Sequence, residues 1–355
     1  MTQMQRRSVA LDTGALIDLG PLREDWAIPR LVQPTSAKLD PILWAEANRE
    51  FVTEQLRKHG ALLFRGFGID SIARLRDFSE AIAADLVEYI ERRSPRTELG
   101  DKVYTSTIHP PDQYIHFHNT TSFSHQWPMK LWFCCLLPAE AGGMTPIADT
   151  REVLGNLSPG VRERFMDKGV MYVRNFHDGV GLSWQSTFQT DDRDRVGDFC
   201  AEANIEVEWI GDRLRTRQVR HAVATHPETL DLVWFNQAHH FHVSSLDAQV
   251  TKVLLESYAE EDLPRNSYYG DGSPIENEAL IDIESAYRKA ERAFPWERGD
   301  VLMLDNMLVA HARTPYEGER LIALTLAELF SPIYNGGGVV GPRAAADAIT
   351  IPLED

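Results

Sequence analysis

The stretch that decides the fold lies between residues 115 and 123 and reads Ile115-His116-Phe117-His118-Asn119-Thr120-Thr121-Ser122-Phe123. In a β-strand, side chains two residues apart point to the same face, so His118 and Thr120 are expected to project together. A further group from a neighbouring strand would complete a facial metal site. His311, which follows Asp305-Asn306 near the other end of the chain, is placed to supply it.

Thr120 departs from the usual composition of such a site. Two histidines and one carboxylate, with open coordination positions, are typical of non-haem Fe(II) oxygenases. The position where the carboxylate is expected holds Thr120, which is neutral and a poor ligand. The separation of 311 − 118 = 193 residues does not by itself establish that the two histidines meet.

The composition indicates a globular protein that can bury a sizeable core. The chain has 355 residues, of which 43% are hydrophobic and 25% charged, and this length allows one large domain or two ordinary ones. With 53 acidic against 36 basic residues, the formal net charge is -17. Such a surface repels polyphosphates, so no nucleic-acid partner is expected.

The cysteines and the N-terminal segment indicate a reducing compartment. Cys134 and Cys135 are adjacent in an apolar run, and Cys200 stands apart, so there is no disulfide framework and no metal-binding cysteine spacing. No apolar run approaches membrane-spanning length, and the N-terminus lacks the continuous apolar core of a secretion signal. These features predict a cytoplasmic protein without a membrane partner.

Hydrophobic periodicity predicts many strands and fewer helices. The predicted helices cover 41–56, 72–90, 153–168, 248–258 and 281–294. The predicted strands cover 61–64, 131–137, 145–148, 170–174, 232–236, 301–304 and 321–329. Residues from about 175 to 220 are charged and weakly periodic, and we interpret them as an insertion or lid over one mouth of the domain. This pattern favours a mainly β fold with flanking helices, an antiparallel barrel or jelly roll, over a doubly wound sheet.

Several short motifs, taken in their order along the chain, resemble one enzyme family. They are Gly60–Phe67, Thr105–Thr107, Gly142–Pro146, Gly181–Gln185, Trp234–Gln237, Asp305-Asn306, His311–Arg313 and Gly318–Arg320. The chain is similar to the clavaminate synthase-like and taurine dioxygenase-like Fe(II)/2-oxoglutarate oxygenases, above all to their natural-product branch of amino-acid hydroxylases. The resemblance covers most of the chain. It implies a single domain over residues 1–355 with the double-stranded β-helix (jelly-roll) fold.

The resemblance assigns four residues to iron and the co-substrate. His118 matches the first histidine of the family's His-x-Asp/Glu motif and His311 matches the second, which implies that both bind Fe(II). Arg320 matches the arginine that grips the far carboxylate of 2-oxoglutarate, a role suited to a guanidinium fork. Thr145 matches the threonine whose hydroxyl helps hold the same co-substrate. The alternatives are a surface ion pair of Arg320 with a neighbouring glutamate and ordinary strand propensity for Thr145.

Three explanations for Thr120 remain open. In the first, two histidines suffice, with water or chloride in the empty position, as in related halogenases that carry Ala or Gly there. In the second, His116, on the same strand face as His118, contributes a third imidazole; the alternative is a packing histidine just outside the site. In the third, the site is altered and binds metal weakly.

The cluster His239-His240-Phe241-His242 resembles a stretch that lines the substrate side of the family's pocket. His239 and His242 are therefore candidates to bind substrate, with structural packing as the alternative. Arg313 is a candidate to meet a substrate carboxylate or to orient His311, with a surface cation as the alternative.

The function that the resemblance implies is oxidation. A 2-oxoglutarate-dependent dioxygenase would use O2 to hydroxylate an unactivated C–H bond of an amino acid or peptide-like natural-product intermediate, free or tethered to a carrier protein. A halogenase, and a non-redox or degenerate relative such as an isomerase or a binding module, are the alternatives. The sequence contains no Ser-His-Asp order, phosphate loop or dinucleotide fingerprint. Arg320 and Thr145 favour the oxygenase, because a protein that did not use 2-oxoglutarate would need no carboxylate clamp.

Overall fold

The computed structural model describes most of the chain between residues 16 and 342. The described ranges are 16–83, 85–88, 98–100, 102–106, 109–177, 181–335 and 338–342. Part of the predicted helix 72–90, Thr107 and residues 178–180 of the predicted insertion therefore lie outside the described residues. None of the described helices has both the length and the apolar content needed to cross a bilayer.

Strands outnumber helices among the described residues, and most are short. In chain order they are β1 (Ile17–Pro21), β2 (Arg30–Pro34), β3 (Ala61–Phe64), β4 (Glu98–Gly100), β5 (Val103–Thr105), β6 (Ile115–His118), β7 (Trp127–Leu137), β8 (Ala141–Gly142), β9 (Ile147–Asp149), β10 (Val170–Phe176), β11 (Glu206–Ile210), β12 (Arg213–Arg220), β13 (Val223–Thr225), β14 (Leu232–Trp234), β15 (Arg265–Tyr269), β16 (Glu291–Arg292), β17 (Val301–Asp305), β18 (Val309–Arg313), β19 (Tyr316–Glu317), β20 (Leu321–Phe330), β21 (Pro332–Asn335) and β22 (Gly338–Pro342). Each predicted strand overlaps one of these.

The helices lie between the strands. They are α1 (Pro41–Ala47), α2 (Arg49–His59), α3 (Ile72–Ile82), α4 (Thr150–Asn156), α5 (Pro159–Lys168), α6 (Trp184–Phe188), α7 (Arg193–Glu202), α8 (Ala238–Phe241), α9 (Ala248–Ser257) and α10 (Asn277–Ala290). The fold is thus sheet-rich with flanking helices, as the sequence predicted.

Three of the predicted helices are wrong in their extent. The predicted helix 72–90 is too long, because α3 ends at Ile82 and Ala83 is extended. The other two are each split in two. The predicted helix 41–56 breaks at Asn48, whose side-chain amide donates to the Trp44 carbonyl at 2.7 Å and so competes with the helical backbone. The predicted helix 153–168 breaks before Pro159, because a proline disfavours helical geometry in the preceding residue.

Two sheets frame the centre of the molecule. The larger has the order β1-β2-β3-β17-β7-β20-β5-β4, and all of its neighbours are antiparallel except β2 and β3. The smaller has the order β16-β9-β18-β6 and is antiparallel throughout. One apolar cluster contains side chains from both sheets, among them Phe133 and Leu302 of the larger and Ile147 and Val309 of the smaller. This shared core fixes the position of β6 and β18 relative to β7 and β20.

Gly60 holds helix α2 close to β18. It ends the helix with φ +77°, a conformation that L-residues with a side chain rarely adopt. A Cβ atom at this position would lie 2.7 Å from Cγ2 of Val309, at the start of β18. A glycine is therefore required where the chain passes against the strand that carries His311.

The segment from 175 to 220 is more regular than the sequence suggested. Its described residues form α6, α7, β11 and β12, and β12 pairs with β10 from Leu214 to Arg220. The charged residues alternate along a hairpin, where Arg215 and Arg217 both contact Glu208. The many charged residues, which the sequence analysis interprets as an insertion or lid, therefore form ion pairs across two strands. Its role as a lid stays a prediction.

Candidate active site

His118 and His311 are direct neighbours on adjacent strands. The antiparallel register of β6 and β18 pairs the two residues. Their ring centroids are 4.4 Å apart, and the ring planes are inclined by 53°. Both side chains are buried, with 9% and 5% of their surface exposed. Inclined imidazoles can direct their in-plane lone pairs at one point, so this pair can share a metal ion.

The tautomer of His118 is set by its own strand. Its Nδ1 lies 2.9 Å from the carbonyl oxygen of His116, and a carbonyl can only accept, so Nδ1 carries the proton. Nε2 is then the nitrogen that carries the lone pair, and it is the ring atom that can bind a metal. Metal-binding histidines commonly donate their other ring N–H to a carbonyl in this way, which fixes the ring orientation.

Both histidines line an open pocket, which we call the His118 cavity; its free space, with the solvent at its mouth included, is about 390 Å³. Its described lining consists of Ser106, Ile115, His118, Phe133, Thr145, His311, Ala312, Arg313 and Arg320. None of these residues is an aspartate or a glutamate. A cavity lined by imidazoles and guanidinium groups, without a carboxylate, favours an anionic ligand.

Arg320 supplies the cavity with a positive charge that is held entirely by neutral groups. Its Nε donates to the Gly143 carbonyl at 2.9 Å, and its terminal nitrogens make longer contacts of 3.5 Å to the hydroxyls of Ser106 and Thr145. Among the described residues no carboxylate pairs with it, so the alternative of a surface ion pair is wrong. Burial, with a smaller effect from Arg313, lowers the pKa of Arg320 to about 10. The guanidinium therefore stays charged at neutral pH.

Thr145 has its hydroxyl proton directed away from its protein partners. Its Oγ1 accepts from Trp296 Nε1 at 3.2 Å and from Arg320 at 3.5 Å, because both groups can only donate. The residue is 4% exposed, and the described contacts give the hydroxyl proton no acceptor. A carboxylate beside Arg320 would accept that proton.

Gly143 makes room for Arg320. It has φ +66°, and a Cβ atom there would lie 3.0 Å from both Cδ and Nε of Arg320. Contacts this short essentially require the arginine side chain to move. The motif Gly142–Pro146 therefore shapes the basic end of the cavity.

The sequence analysis placed Thr120 on the same strand as His118, but Thr120 does not belong to strand β6. The strand ends at His118, and Thr120 opens a turn in which Thr121 has φ +56°. Asn306 holds the turn: its Oδ1 accepts from the Thr120 N–H at 2.7 Å, and its Nδ2 donates to the Thr120 carbonyl at 2.9 Å. The alternation rule for strands therefore does not apply beyond His118.

The hydroxyl of Thr120 is a buried polar atom. The residue is 2% exposed, and Oγ1 has no hydrogen-bond partner among the described residues. Leaving such an atom unpaired is costly, at roughly 1–3 kcal/mol. The turn next to His118 thus carries a neutral hydroxyl at the position where a carboxylate was expected, and Thr120 is not in the described lining of the His118 cavity.

His116 belongs to a different group of side chains, which we call the Glu284 cluster. His116, His239 of α8 and Glu284 of α10 bring their ligand atoms within 4.8 Å of one another. A hydrogen bond from His116 lowers the pKa of Glu284 to about 2, and burial lowers the pKa of His239 to about 3. The carboxylate is therefore ionised and His239 neutral at physiological pH. The role of His116 as a third ligand beside His118 stays a prediction.

His240, part of the histidine-rich run that the sequence singled out for the substrate side, lies between the two groups. Its ring stacks on His118 with centroids 5.0 Å apart and planes inclined by only 18°, and it lies 6.3 Å from His116. Because imidazole lone pairs lie in the ring plane, two nearly parallel stacked rings cannot both point at one ion. His240 therefore packs against His118 in this arrangement, and the histidine-rich run gave the only sequence signal for it.

The candidate substrate residues are placed differently from one another. His239 is 5% exposed and belongs to the Glu284 cluster, while His242 Nδ1 accepts from the Ser244 N–H at 3.2 Å. Neither is in the described lining of the His118 cavity. Arg313 does line it, but its terminal nitrogens donate to the carbonyls of His109, Pro110 and Gln113. A substrate role for these three residues stays a prediction.

Comparison with known proteins identifies the family of this fold and site. The model of the taurine catabolism dioxygenase TauD/TfdA family matches residues 30–326. The chain belongs to the TauD/TfdA dioxygenase family. It is 40% identical over 284 residues to the dapdiamide synthesis protein DdaC of Enterobacter agglomerans, which covers 80% of this chain and 85% of that protein. It is also 28% identical over 329 residues to a clavaminate synthase-like protein of Arabidopsis thaliana, covering 86% and 95%.

A solved structure supports the same fold. PvcB of Pseudomonas aeruginosa superposes with a TM-score of 0.53 at 14% identity, covering 92% of this chain and 94% of PvcB. A second structure of PvcB is described as an Fe, alpha-ketoglutarate-dependent oxygenase from an isonitrile synthetic pathway. The resemblance stated from the motifs is thus confirmed, including its natural-product branch.

Membership in the TauD/TfdA family implies Fe(II) and 2-oxoglutarate, and the described residues fit both groups. His118 and His311 converge as a metal-binding pair, and Arg320 with the Thr145 hydroxyl offers a charge and a proton to a carboxylate. The fit is incomplete at the third protein ligand, because Thr120 stands where the family carries a carboxylate.

Proposed function

We propose that this TauD/TfdA dioxygenase hydroxylates an unactivated C–H bond of an amino acid or peptide-like natural-product intermediate, within a single jelly-roll domain. His118 and His311 would hold Fe(II), and Arg320 and Thr145 would hold the far carboxylate of 2-oxoglutarate. The observation that carries the proposal is the shared lining of one cavity by these four residues, with no carboxylate opposite Arg320 among the described residues.

The residues of the cavity would bind and orient the reactants. Iron with 2-oxoglutarate, when bound, supplies the O2-dependent oxidising chemistry. Arg320 and Thr145 would anchor the co-substrate at the end of the cavity where Gly143 leaves space for the guanidinium. The His116 carbonyl fixes the His118 tautomer that lets Nε2 bind metal, and Phe133, 4.9 Å from the His311 ring, limits water beside that imidazole.

Arg320→Ala tests the co-substrate site. In the anaerobic wild-type protein, Fe(II) and 2-oxoglutarate together should give a weak visible absorption band. 2-Oxoglutarate should also raise the unfolding temperature by several degrees, because a ligand at 100 times its Kd adds about 2.7 kcal/mol to stability. The variant should lose roughly 2–5 kcal/mol of binding free energy, since it removes a desolvated charge-assisted pair.

Arg217→Gln is the matched control for the loss of one arginine. Arg217 pairs with Glu206 and Glu208 on a hairpin outside the described cavity lining, so the variant should keep wild-type affinity for 2-oxoglutarate. If the wild-type protein gives neither the band nor any 2-oxoglutarate-dependent stabilisation, the oxygenase proposal fails.

The substrate class rests on the relatives and on charge. The name of DdaC connects it to dapdiamide synthesis, and PvcB is assigned to an isonitrile synthetic pathway. The net charge of -17 disfavours polyanionic substrates, whereas Arg313 at the cavity wall can still attract a single carboxylate. We therefore expect an amino-acid-like substrate, free or tethered to a carrier protein.

A substrate panel tests this assignment. Succinate release and product mass are measured with free amino acids, carrier-tethered amino acids, sulfonates and oligonucleotides under iron, 2-oxoglutarate and O2. Turnover should be confined to the amino-acid arms. Robust turnover of a sulfonate or an oligonucleotide alone would overturn the substrate class while leaving the oxygenase intact.

Halogenation is a second candidate function. It is favoured by the missing carboxylate at Thr120 and by the absence of any acidic residue from the described lining of the cavity. Without a carboxylate ligand there is space for a halide beside the two histidines, and the halide would supply the negative charge that the carboxylate otherwise provides. A product whose mass increases by one chlorine, formed only when chloride is present, would decide for this function over hydroxylation.

A further inference from the structure

The Glu284 cluster is a set of metal-ligating side chains outside the His118 cavity. It draws on three elements, with His116 from β6, His239 from α8 and Glu284 from α10. None of the three residues is in the described lining of the cavity that holds His118 and His311. The cluster therefore has surroundings of its own, even though His116 and His118 are only two residues apart.

The geometry of the cluster suits convergence on one point. Nδ1 of His116 lies 3.4 Å from Oε2 of Glu284, and the rings of His116 and His239 are perpendicular, at 87°, with centroids 6.1 Å apart. Ligand atoms around one ion lie roughly 3.0–3.4 Å apart when the bonds are about 2.1 Å long. The ligand atoms, which all lie within 4.8 Å of one another, must therefore move somewhat closer together, and Glu284, with 33% of its side chain exposed, has the freedom to do so.

A second, independent observation at His239 indicates that the cluster binds a ligand. The residue is 95% buried, as its 5% exposure implies, and both ring nitrogens lack a hydrogen-bond partner among the described residues. A buried imidazole without partners carries a desolvation cost that a bound cation would remove from one nitrogen. The ring is held in place by Tyr287, 4.9 Å away, so it is already oriented.

Glu284 can bind a metal with one carboxylate oxygen and keep its ion pair with Arg288 through the other. Its Oε1 accepts from Arg288 at 2.9 Å, one helical turn along α10, while Oε2 faces His116. One carboxylate oxygen thus remains for a metal, with the other held by the arginine. Such support of a ligating carboxylate is a common feature of metal sites.

We infer that His116, His239 and Glu284 form a second site for a divalent transition-metal ion. Two imidazoles and one carboxylate suit Zn²⁺ and the other late first-row ions, whereas Mg²⁺ and Ca²⁺ prefer oxygen ligands alone. Three protein ligands leave coordination positions for water, and the partial exposure of His116 and Glu284 gives solvent access to them. The inference is independent of the function proposed above.

Zn²⁺ binding to a variant that lacks the first site tests the inference. His118→Ala combined with His311→Ala removes the pair in the cavity, and the metal-stripped protein is titrated calorimetrically with Zn²⁺ and analysed for bound metal. One Zn²⁺ per chain should remain. Adding His239→Gln should weaken its binding at least about 100-fold, more than the usual effect of a supporting residue, and Glu284→Gln at least about tenfold.

His242→Ala is the matched control, because this nearby histidine contacts Ser244 and is not part of the cluster. It should leave the remaining Zn²⁺ affinity unchanged. The same comparison in the otherwise wild-type protein covers the case in which the double variant does not fold: at a free Zn²⁺ concentration that just saturates both sites of the wild type, His239→Gln should reduce the bound Zn²⁺ from two ions to one. Absence of the second ion, or binding that ignores both His239→Gln and Glu284→Gln, would overturn the inference.

Discussion

The His118 cavity and the Glu284 cluster begin on the same four-residue strand, yet their surroundings are opposite in charge. His118 faces a wall with two arginines and no described carboxylate, whereas His116 faces an ionised glutamate. The difference arises from the elements that approach each histidine. Strand β18 and the segment before β20 approach His118, and helix α10 approaches His116.

This contrast explains how two identical side chains, two residues apart, take different roles. A histidine pair beside an uncompensated guanidinium is complementary to a metal with an anionic co-substrate. A histidine pair beside a carboxylate already has the anion that a divalent cation requires. We therefore propose that distant parts of the chain set the ligand of each site, and we predict that each site can be altered without the other.

The largest expected difference between the two sites is in the response to histidine removal. His118→Ala should weaken the anaerobic complex of Fe(II) and 2-oxoglutarate by more than about 100-fold, since loss of a ligand exceeds the usual effect of a supporting residue. His116→Ala should leave that complex intact, because it is the backbone carbonyl of His116 that holds His118. The visible absorption band and the unfolding temperature report formation of this complex in each of the two variants. Equal losses in the two variants would contradict the separation of the sites.

A carboxylate introduced at Thr120 should bring the His118 cavity closer in composition to the Glu284 cluster. Thr120→Asp is expected to tighten Fe(II) binding by about tenfold or more, because a charged oxygen ligand replaces a neutral hydroxyl. It should also abolish any chloride-dependent product. Thr120→Val, which keeps the shape and removes the hydroxyl, is the control and should leave Fe(II) affinity unchanged; chlorinated product from the aspartate variant would refute the open-position explanation.

A smaller effect is expected from displacing the guanidinium without removing it. Gly143→Ala places a Cβ atom 3.0 Å from Arg320 and requires a side chain at φ +66°, so 2-oxoglutarate affinity should fall by about tenfold, short of the full loss of the pair. Gly155→Ala is the control, since nothing lies within 4 Å of its added Cβ. Calorimetric titration with 2-oxoglutarate distinguishes them, and Zn²⁺ affinity of the Glu284 cluster should be the same in both.

The smallest expected effect is that of pH on co-substrate affinity. Because the pKa of Arg320 is about 10, its charge is retained at mildly alkaline pH and is lost only as the pH rises through that value. The affinity for 2-oxoglutarate should therefore change by less than about twofold between about pH 7.5 and 9. A steep decline within this window, measured by titration in matched buffers, would show that another group binds the far carboxylate.

Much of the fold could be predicted from local patterns. The apolar runs at 61–64, 301–304 and 321–329 match β3, β17 and β20, because buried strands need continuous hydrophobic residues. The hairpin of β11 and β12 was missed because its alternating arginines and glutamates look like a solvated loop until they face each other across two strands. Asn48 and Pro159 are visible in the sequence as residues that can end a helix. The prediction gave more weight to the hydrophobic periodicity, which continues across both positions.

The site was predictable where family motifs exist and not elsewhere. His118, His311, Arg320 and Thr145 were found through their motifs, and the structure brings all four to one cavity. Glu284 gave no signal, because it lies in an ordinary amphipathic helix and 284 − 116 = 168 residues beyond the histidine that it contacts. Only the packing of α10 beside β6 brings these two residues together.

The most direct test of the central claim is a crystal structure from crystals soaked anaerobically with Fe(II), 2-oxoglutarate and bromide, with anomalous data collected for iron and bromine. We predict iron within about 2.1 Å of Nε2 of His118 and of a ring nitrogen of His311, with the far carboxylate of 2-oxoglutarate on Arg320 and Thr145. Thr120 Oγ1 should lie outside bonding distance of the iron. Iron bound elsewhere, or 2-oxoglutarate bound away from Arg320, would contradict the roles proposed for these residues.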